Sequence, residues 1–211
     1  MTLPITRFSL VDSQPRWAAL RGEVPMSLSS SAKVSIVSNV VAVAALGFAW
    51  AGVPAAPPLG HAWHKVLHLT GVILFFGNMV VGPFWLAMAW ATGDRAAFAF
   101  AVRTLVAADI WLTMPGVQLT VWNGVALAAT FGGVRVQPWL VEALVLVVLT
   151  SALAVAVVLP AQEALARSCE RDDRVAVVHS LWRWSVWGVV VSVPPSVVVY
   201  LMVTKQALFL D

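Results

Sequence analysis

Charged side chains are scarce in this chain. Asp, Glu, Lys and Arg make up 11% of its residues, against about 25% in water-soluble domains. A soluble fold of 211 residues has too little interior to hide a sequence that is 60% hydrophobic, so composition excludes that class and leaves the membrane. Cysteine is all but missing. Cys169 stands alone, which excludes an internal disulfide and any zinc or iron–sulfur centre built from several thiolates; it reads as a bystander thiol in a polar loop. No internal repeat and no low-complexity tract interrupts the sequence. A net charge of +3 and a pI near 9.6 would suggest nucleic acid as the partner of a polar protein. Here the basic residues flank apolar runs, where they set topology, so the partner they imply is the lipid bilayer and not nucleic acid.

What the chain does have is long apolar runs. A hydrocarbon core of about 30 Å takes about 20 residues of helix, and five stretches qualify, at roughly 34–53, 63–92, 97–130, 138–160 and 180–204. The expected fold is all-α: a polytopic bundle of five transmembrane helices, with a four-helix core and a peripheral N-terminal helix. Pro83, Pro115, Pro160 and the pair Pro194–Pro195 should kink or end helices locally, because each removes a backbone donor. Residues 1–33 are more polar, with Pro15, Pro25 and the run Ser29, Ser30, Ser31. They read as a flexible or interfacial cytoplasmic arm, leaving 34–211 as the bundle. The first apolar run exceeds the 7–15 residues of a signal-peptide core, which favours a retained helix.

With the N-terminus inside, the cytoplasmic segments hold Arg7, Arg16, Arg21, Lys33, Arg95, Arg103, Arg167, Arg171, Arg174 and Arg183, and the opposite side holds Lys65, Arg135 and Lys205. That asymmetry predicts a bacterial inner-membrane protein with Cys169 facing the cytoplasm and Asp211 the periplasm. Trp63, Trp122 and Trp139 near one face, and Trp90, Trp182 and Trp184 near the other, read as interfacial belts. The run "ERDDR", 170–174, reads as a solvated loop.

Positions 100° apart show which side of each helix avoids lipid. His64, His68, Gly71, Phe75, Asn78 and Gly82 fall in one stripe of the second helix, and Asp109, Thr113, Gly116, Thr120 and Asn123 in one stripe of the third. The fifth carries Ser185, Gly188, Ser192, Ser196 and Val199. Small and polar residues let helices approach and bond across the contact, so these three stripes should meet. The fourth helix shows only Glu142 near its outer end above an aliphatic centre. The first shows only Ser35, Ser38 and Asn39 near its inner end, which places it at the periphery. Asp109 lies inside the hydrocarbon span, where a carboxylate needs a partner or a proton. Three readings stay open: a structural pair with Arg183, a proton- or ligand-handling group, and a neutral buried acid.

Of the four histidines, His61, His64 and His68 gather at the outer face, and His179 lies at the inner end of the fifth helix. A bilayer thickness separates His179 from the rest, so a pair of axial histidines across one haem is excluded. His64 and His68, at i and i+4, share a helix face, a spacing that suits two nitrogens on one metal ion. The residues between them are "KVL", which lacks the glutamate of a hydrolase motif. Interfacial packing, a haem or metal ligand, and a proton relay all remain open. For haem, His68 or His64 would need Met202, Lys205 or no second ligand. His61 and His179 read as bystanders.

The segment "KVLHLTGVILFFGNMVVGPFW" resembles the first core helix of an uncharacterised bacterial membrane family that groups with the copper-resistance protein CopD and the HemJ-type protoporphyrinogen oxidases. "WRWSVWGVVVSVPPSVVVYLMVTK", 182–205, resembles its last helix, with Gln206 where a proline is usual. The resemblance covers about residues 63–205 and implies a four-helix core with a histidine at the outer end of its first helix, here His68, and Lys205 as the closing lysine. In HemJ-like proteins such a histidine is associated with haem b, and CopD-like proteins with copper uptake. Arg183 is kept from the HemJ signature before the last helix, but its Asn–Glu pair is absent.

The leading expectation is therefore a protein binding haem b or a metal ion near its periplasmic face in a redox role. In the permease alternative, copper or a small solute passes His64 and His68 and then Asn78 and Thr113. The third class is a non-catalytic subunit or assembly factor, or a homo-oligomer, that binds membrane partners through its aromatic surface.

Overall fold

The computed structural model describes residues 28–53, 58–171 and 173–210. Most of the expected arm, with Arg7, Arg16 and Arg21, and the terminal Asp211 lie outside the described residues. Five helices are long and apolar enough to cross a membrane: α1 (Ser30–Trp50), α2 (His61–Ala91), α3 (Arg95–Phe131), α4 (Pro138–Glu170) and α5 (Arg174–Thr204). No strand occurs among the described residues.

Capping explains where the boundaries differ from those expected. Ser29 accepts the Ala32 N–H as N-cap of α1, so the bundle begins inside the serine run assigned to the arm. The same hydroxyl donates to Glu163 and ties the start of α1 to α4. Asp94 caps α3 by accepting from Ala96 and Ala97, and Asp173 caps α5 by accepting from Ala176. Side-chain oxygens at these positions satisfy amides that have no partner within the helix. Within the "ERDDR" run Glu170 thus ends α4 and Asp173 caps α5. Helix α4 runs through Pro160 to Glu170, and α5 starts at Arg174, six residues before its expected start.

Connectivity puts the α2–α3 and α4–α5 turns at one end of the bundle, with most of the basic residues. The α1–α2 and α3–α4 connections and the C-terminal tail lie at the other, with His61, His64 and His68. At the basic end Leu86, Phe98, Val102, Leu105, Ala161, Leu165, Val177 and Trp184 form a core shared by α2 to α5. At the histidine end Ala128, Val134, Trp139 and Leu140 form a second core, on which Met202 packs. Helices α2 and α3 cross at two glycines. A Cβ on Gly71 would stand 2.6 Å from the Gly116 carbonyl oxygen, and one on Gly116 would stand 2.8 Å from the Phe75 nitrogen. Only glycine allows backbones this close.

Helix α1 joins the four-helix core from one flank, chiefly through α3. Ala42, Ala45 and Leu46 pack on Val121 of α3, and Gln118 donates to the Ser38 carbonyl at 2.7 Å and hydroxyl at 2.8 Å. The lipid-facing side of the bundle is strongly apolar even at mid-span, where Trp111 is 76% exposed.

Candidate functional site

A cavity of about 180 Å³ opens in the middle of the bundle and is lined from all five helices. Ser35 and Asn39 come from α1, Phe75, Asn78, Met79 and Pro83 from α2, and Leu105, Asp109, Thr113 and Met114 from α3. Helix α4 adds Thr150, Ala154, Val155, Val158, Leu159 and Gln162, and α5 adds Trp184, Gly188, Val191 and Ser192. The lining is mostly apolar; Ser35, Asn39, Thr150 and Ser192 are polar exceptions, and one hydrogen-bonded polar wall is built around Asp109. There Asn78 Nδ2 donates to Asp109 Oδ1 at 2.9 Å and to Thr113 Oγ1 at 2.8 Å. Thr113 Oγ1 donates on to Asp109 Oδ1 at 3.1 Å, and Gln162 Nε2 donates to Asp109 Oδ2 at 2.7 Å. Each amide must turn its NH₂ toward the carboxylate, which in its ionised form only accepts. The acid is therefore held by three neutral donors. Arg183, its expected partner, is exposed to the outside of α5 and is not among them.

Two breaks in helical geometry frame this wall. Residues Asp109–Thr113 of α3 and Ala154–Val158 of α4 form π turns. In each, an amide bonds five residues back: Met114 N–H to the Asp109 carbonyl, and Leu159 N–H to the Ala154 carbonyl. The next residue in each case is a proline, Pro115 or Pro160. A proline ring crowds the carbonyl four residues before it and offers no N–H; widening the turn ahead of it relieves that crowding. Such π turns recur at functional sites because they push a helix segment sideways into a cavity. Both lie on the same cavity.

The histidine end is organised differently. His64 is buried, and both of its ring nitrogens are engaged. Its Nε2 accepts the Leu59 N–H at 3.3 Å, so its Nδ1 carries the proton and donates to Asn123 Oδ1 at 2.8 Å. Asn123 in turn donates to the Leu119 carbonyl. His68 Nδ1 donates to the Thr120 carbonyl at 2.8 Å, and its ring lies against Gly124, where a Cβ would meet it at 3.1 Å. Its Nε2 has no partner among the described residues. The i, i+4 pair therefore offers one free nitrogen, and a metal ion held by both rings does not fit. Among the described residues, no three His, Cys, Asp or Glu side chains gather where they could hold a metal ion.

The candidate axial partners are also occupied. Met202 sits in the apolar cluster under Trp139 and Leu140. The Lys205 ammonium lies 4.1 Å from the Trp139 ring centroid and 5.6 Å from that of Phe131. Partial burial, and then the charge of Lys65, hold the Lys205 pKa below the ordinary lysine range. Nearby, the Glu142 carboxylate accepts the amides of Leu208, Phe209 and Leu210 at 2.8, 2.6 and 2.7 Å, folding the C-terminal tail back onto α4.

The structure thus brings together Asp109, Asn78 and Thr113 as one cluster, and keeps His64 and His68 in a second. Sequence reasoning missed Gln162 and Trp184. Gln162 follows Pro160, where the fourth span was expected to stop. Trp184 was assigned to an interfacial belt but is 7% exposed and lines the cavity; Trp139, from the other belt, is buried as well. In α5 the inward face is Trp184, Val191, Pro194 and Leu201 rather than the whole serine stripe, since Ser196 and Val199 are exposed. Gly188 and Ser192 of that stripe do reach the cavity.

Residues 63–206 match the model of a family described as predicted integral membrane protein (DUF2269), and the chain belongs to that family. No curated protein and no solved structure matches it.

Proposed function

We propose that this member of an integral-membrane family is a permease, and that Asp109 is the carboxylate that takes up and releases the transported or coupling cation. One observation carries the reading. A carboxylate sits within the span on the wall of a cavity to which every helix contributes, and among the described residues it is held by neutral donors with no cation in contact. Ionisable groups are expensive in this setting and mark ion and solute paths. A purely structural acid would be expected to pair with a cation. The two π turns on the cavity wall support the same reading, because such turns are frequent at functional sites.

The test is chemical. A lipid-soluble carbodiimide modifies a carboxyl only when it is protonated and reachable from the bilayer. Treated in membranes, the protein should gain an adduct that peptide mapping places on Asp109, that fades as pH rises and that Asp109→Asn lacks. No adduct at Asp109 from mildly acidic to mildly alkaline pH would refute cation exchange at this site.

A second reading, haem b at the histidine end, is favoured by the free Nε2 of His68. His68 would hold the iron alone, and haem would supply one-electron chemistry there. A Soret band in the purified protein, lost in His68→Ala, is the expected result on that reading. We also infer an inner-membrane orientation with the basic end cytoplasmic, supported by the charge bias. An impermeant thiol reagent should then reach Cys169 only after permeabilisation, and labelling in intact cells would reverse the orientation.

A further inference from the structure

We infer that the cavity beside Asp109 is a binding site for a small organic ammonium ion with an apolar body about the size of one six-membered ring. This rests on the permease reading and names its class of ligand. Size comes first. A dry protein cavity of about 150 Å³ accepts benzene, and this one measures about 180 Å³. It holds one ring and a substituent, and is too small for a drug-sized molecule.

Chemistry narrows the class. Around Asp109 the neighbours present hydrogens, not lone pairs: Asn78 and Gln162 turn their amide nitrogens to it, and Thr113 its hydroxyl. A desolvated metal ion needs a shell of oxygens, and these groups cannot supply one while they hold the carboxylate. A ligand that brings its own N–H donors meets no such obstacle. Asp109 Oδ1 accepts two bonds and Oδ2 only one, which leaves Oδ2 an acceptor site for an ammonium hydrogen. An anion would meet the carboxylate head on.

The rest of the wall suits the body of such a ligand. Phe75, Met79, Val155 and Val191 are apolar, and Trp184 adds an aromatic surface of the kind that attracts cations. The Trp184 indole N–H is buried and bonds to no group among the described residues, an unused donor for an oxygen on the ligand or an accompanying water. Helices α2 and α5 both line the cavity yet barely touch each other.

The experiment uses the full chain in lipid nanodiscs with three probes that share one ring: cyclohexylamine, cyclohexanol and cyclohexanecarboxylate. Binding is read by calorimetry and by protection of Asp109 from the carbodiimide. Cyclohexylamine should bind at least about tenfold more tightly than cyclohexanol, a difference of about 1.4 kcal/mol, and should slow the labelling of Asp109. The carboxylate should do neither. Asp109→Asn should remove the preference for the amine. Val155→Phe, which fills the cavity without touching the polar wall, should abolish binding of amine and alcohol alike, so the test survives if the Asp109 variant misfolds. Equal binding of all three probes, or undiminished amine binding to Val155→Phe, overturns the inference. If Asp109 is labelled in the pH-dependent way but cyclohexylamine neither binds nor protects, the ligand class is wrong and the permease reading stands. If Asp109 is never labelled, the permease reading itself has failed.

Discussion

Replacing Gly71 with alanine adds one methyl group, and the α2–α3 crossing has no room for it. The new Cβ would lie 2.6 Å from the Gly116 carbonyl oxygen, the Thr120 nitrogen and the Thr120 hydroxyl, where ordinary contact begins at 3.4 Å, a shortfall of 0.8 Å. The hydroxyl can rotate away, but the two backbone atoms cannot. The helices must part, and overpacking of this kind costs about 1–3 kcal/mol. Parting them also stretches the His68–Thr120 and His64–Asn123 bonds, each worth about 0.6 kcal/mol between membrane helices. Against this stands the better helix propensity of alanine, about 1 kcal/mol. The net expectation is a loss of about 1–3 kcal/mol. Gly77, in the same helix, is the control, because a Cβ there meets nothing within 4 Å. Thermal unfolding in detergent, followed by size-exclusion of the surviving monodisperse protein, should show Gly71→Ala clearly less stable than wild type and Gly77→Ala no less stable. Indistinguishable curves for the two variants would refute the claim that backbone contact at this crossing holds α2 to α3.

Three further outcomes are expected. Asp109→Asn turns an N–H toward groups that already donate, at a cost of about 1–3 kcal/mol; its effect should couple with Gln162→Leu and add independently with Arg183→Gln, and coupling to Arg183 in a double-mutant cycle would contradict the bonding described. Glu142→Ala strands three tail amides, so amide exchange at Leu208, Phe209 and Leu210 should quicken by at least about tenfold; unchanged exchange would show that the tail is held by something else. Gln118→Leu removes both bonds to Ser38 and the one from Trp122 and should lower the thermal stability by about 1–2 kcal/mol, and an unchanged unfolding curve would show that these bonds do not hold α1 to α3.

The spans, their number and the inward stripes of α2 and α3 were legible because lipid imposes a single rule. Polar and small residues face protein, so 100° periodicity exposes them. Asn78, Asp109 and Thr113 were found that way and do meet. The partner of Asp109 was not. A guanidinium is the obvious answer to a buried carboxylate, and Arg183 lies at a plausible depth. Gln162 carries no charge to flag it, and it follows a proline that usually signals an end. The π turns defeat prediction for the same reason, since a helical wheel assumes a constant period and Pro115 and Pro160 change it locally. Trp184 and Trp139 were misread because tryptophan near a helix end is usually interfacial; packing decided otherwise. His64 and His68 show the limit of spacing arguments. Their interval suits a shared metal ion, but whether a nitrogen is free depends on Leu59 and Asn123, which no spacing reveals.

The glycine crossing also has a mechanical consequence. On α2 it stands midway between the two polar clusters: His64 lies seven residues to one side of Gly71 and Asn78 seven to the other, about 10 Å each way. A rod resting on a point halfway along is a lever with equal arms. Each 10° of rocking about that fulcrum carries the two ends about 1.8 Å in opposite directions, enough to break the 2.8 Å bonds of His64 or Asn78. In such rocking the histidine end and the Asp109 wall cannot both swing outward; as one parts from α3, the other is pressed against it.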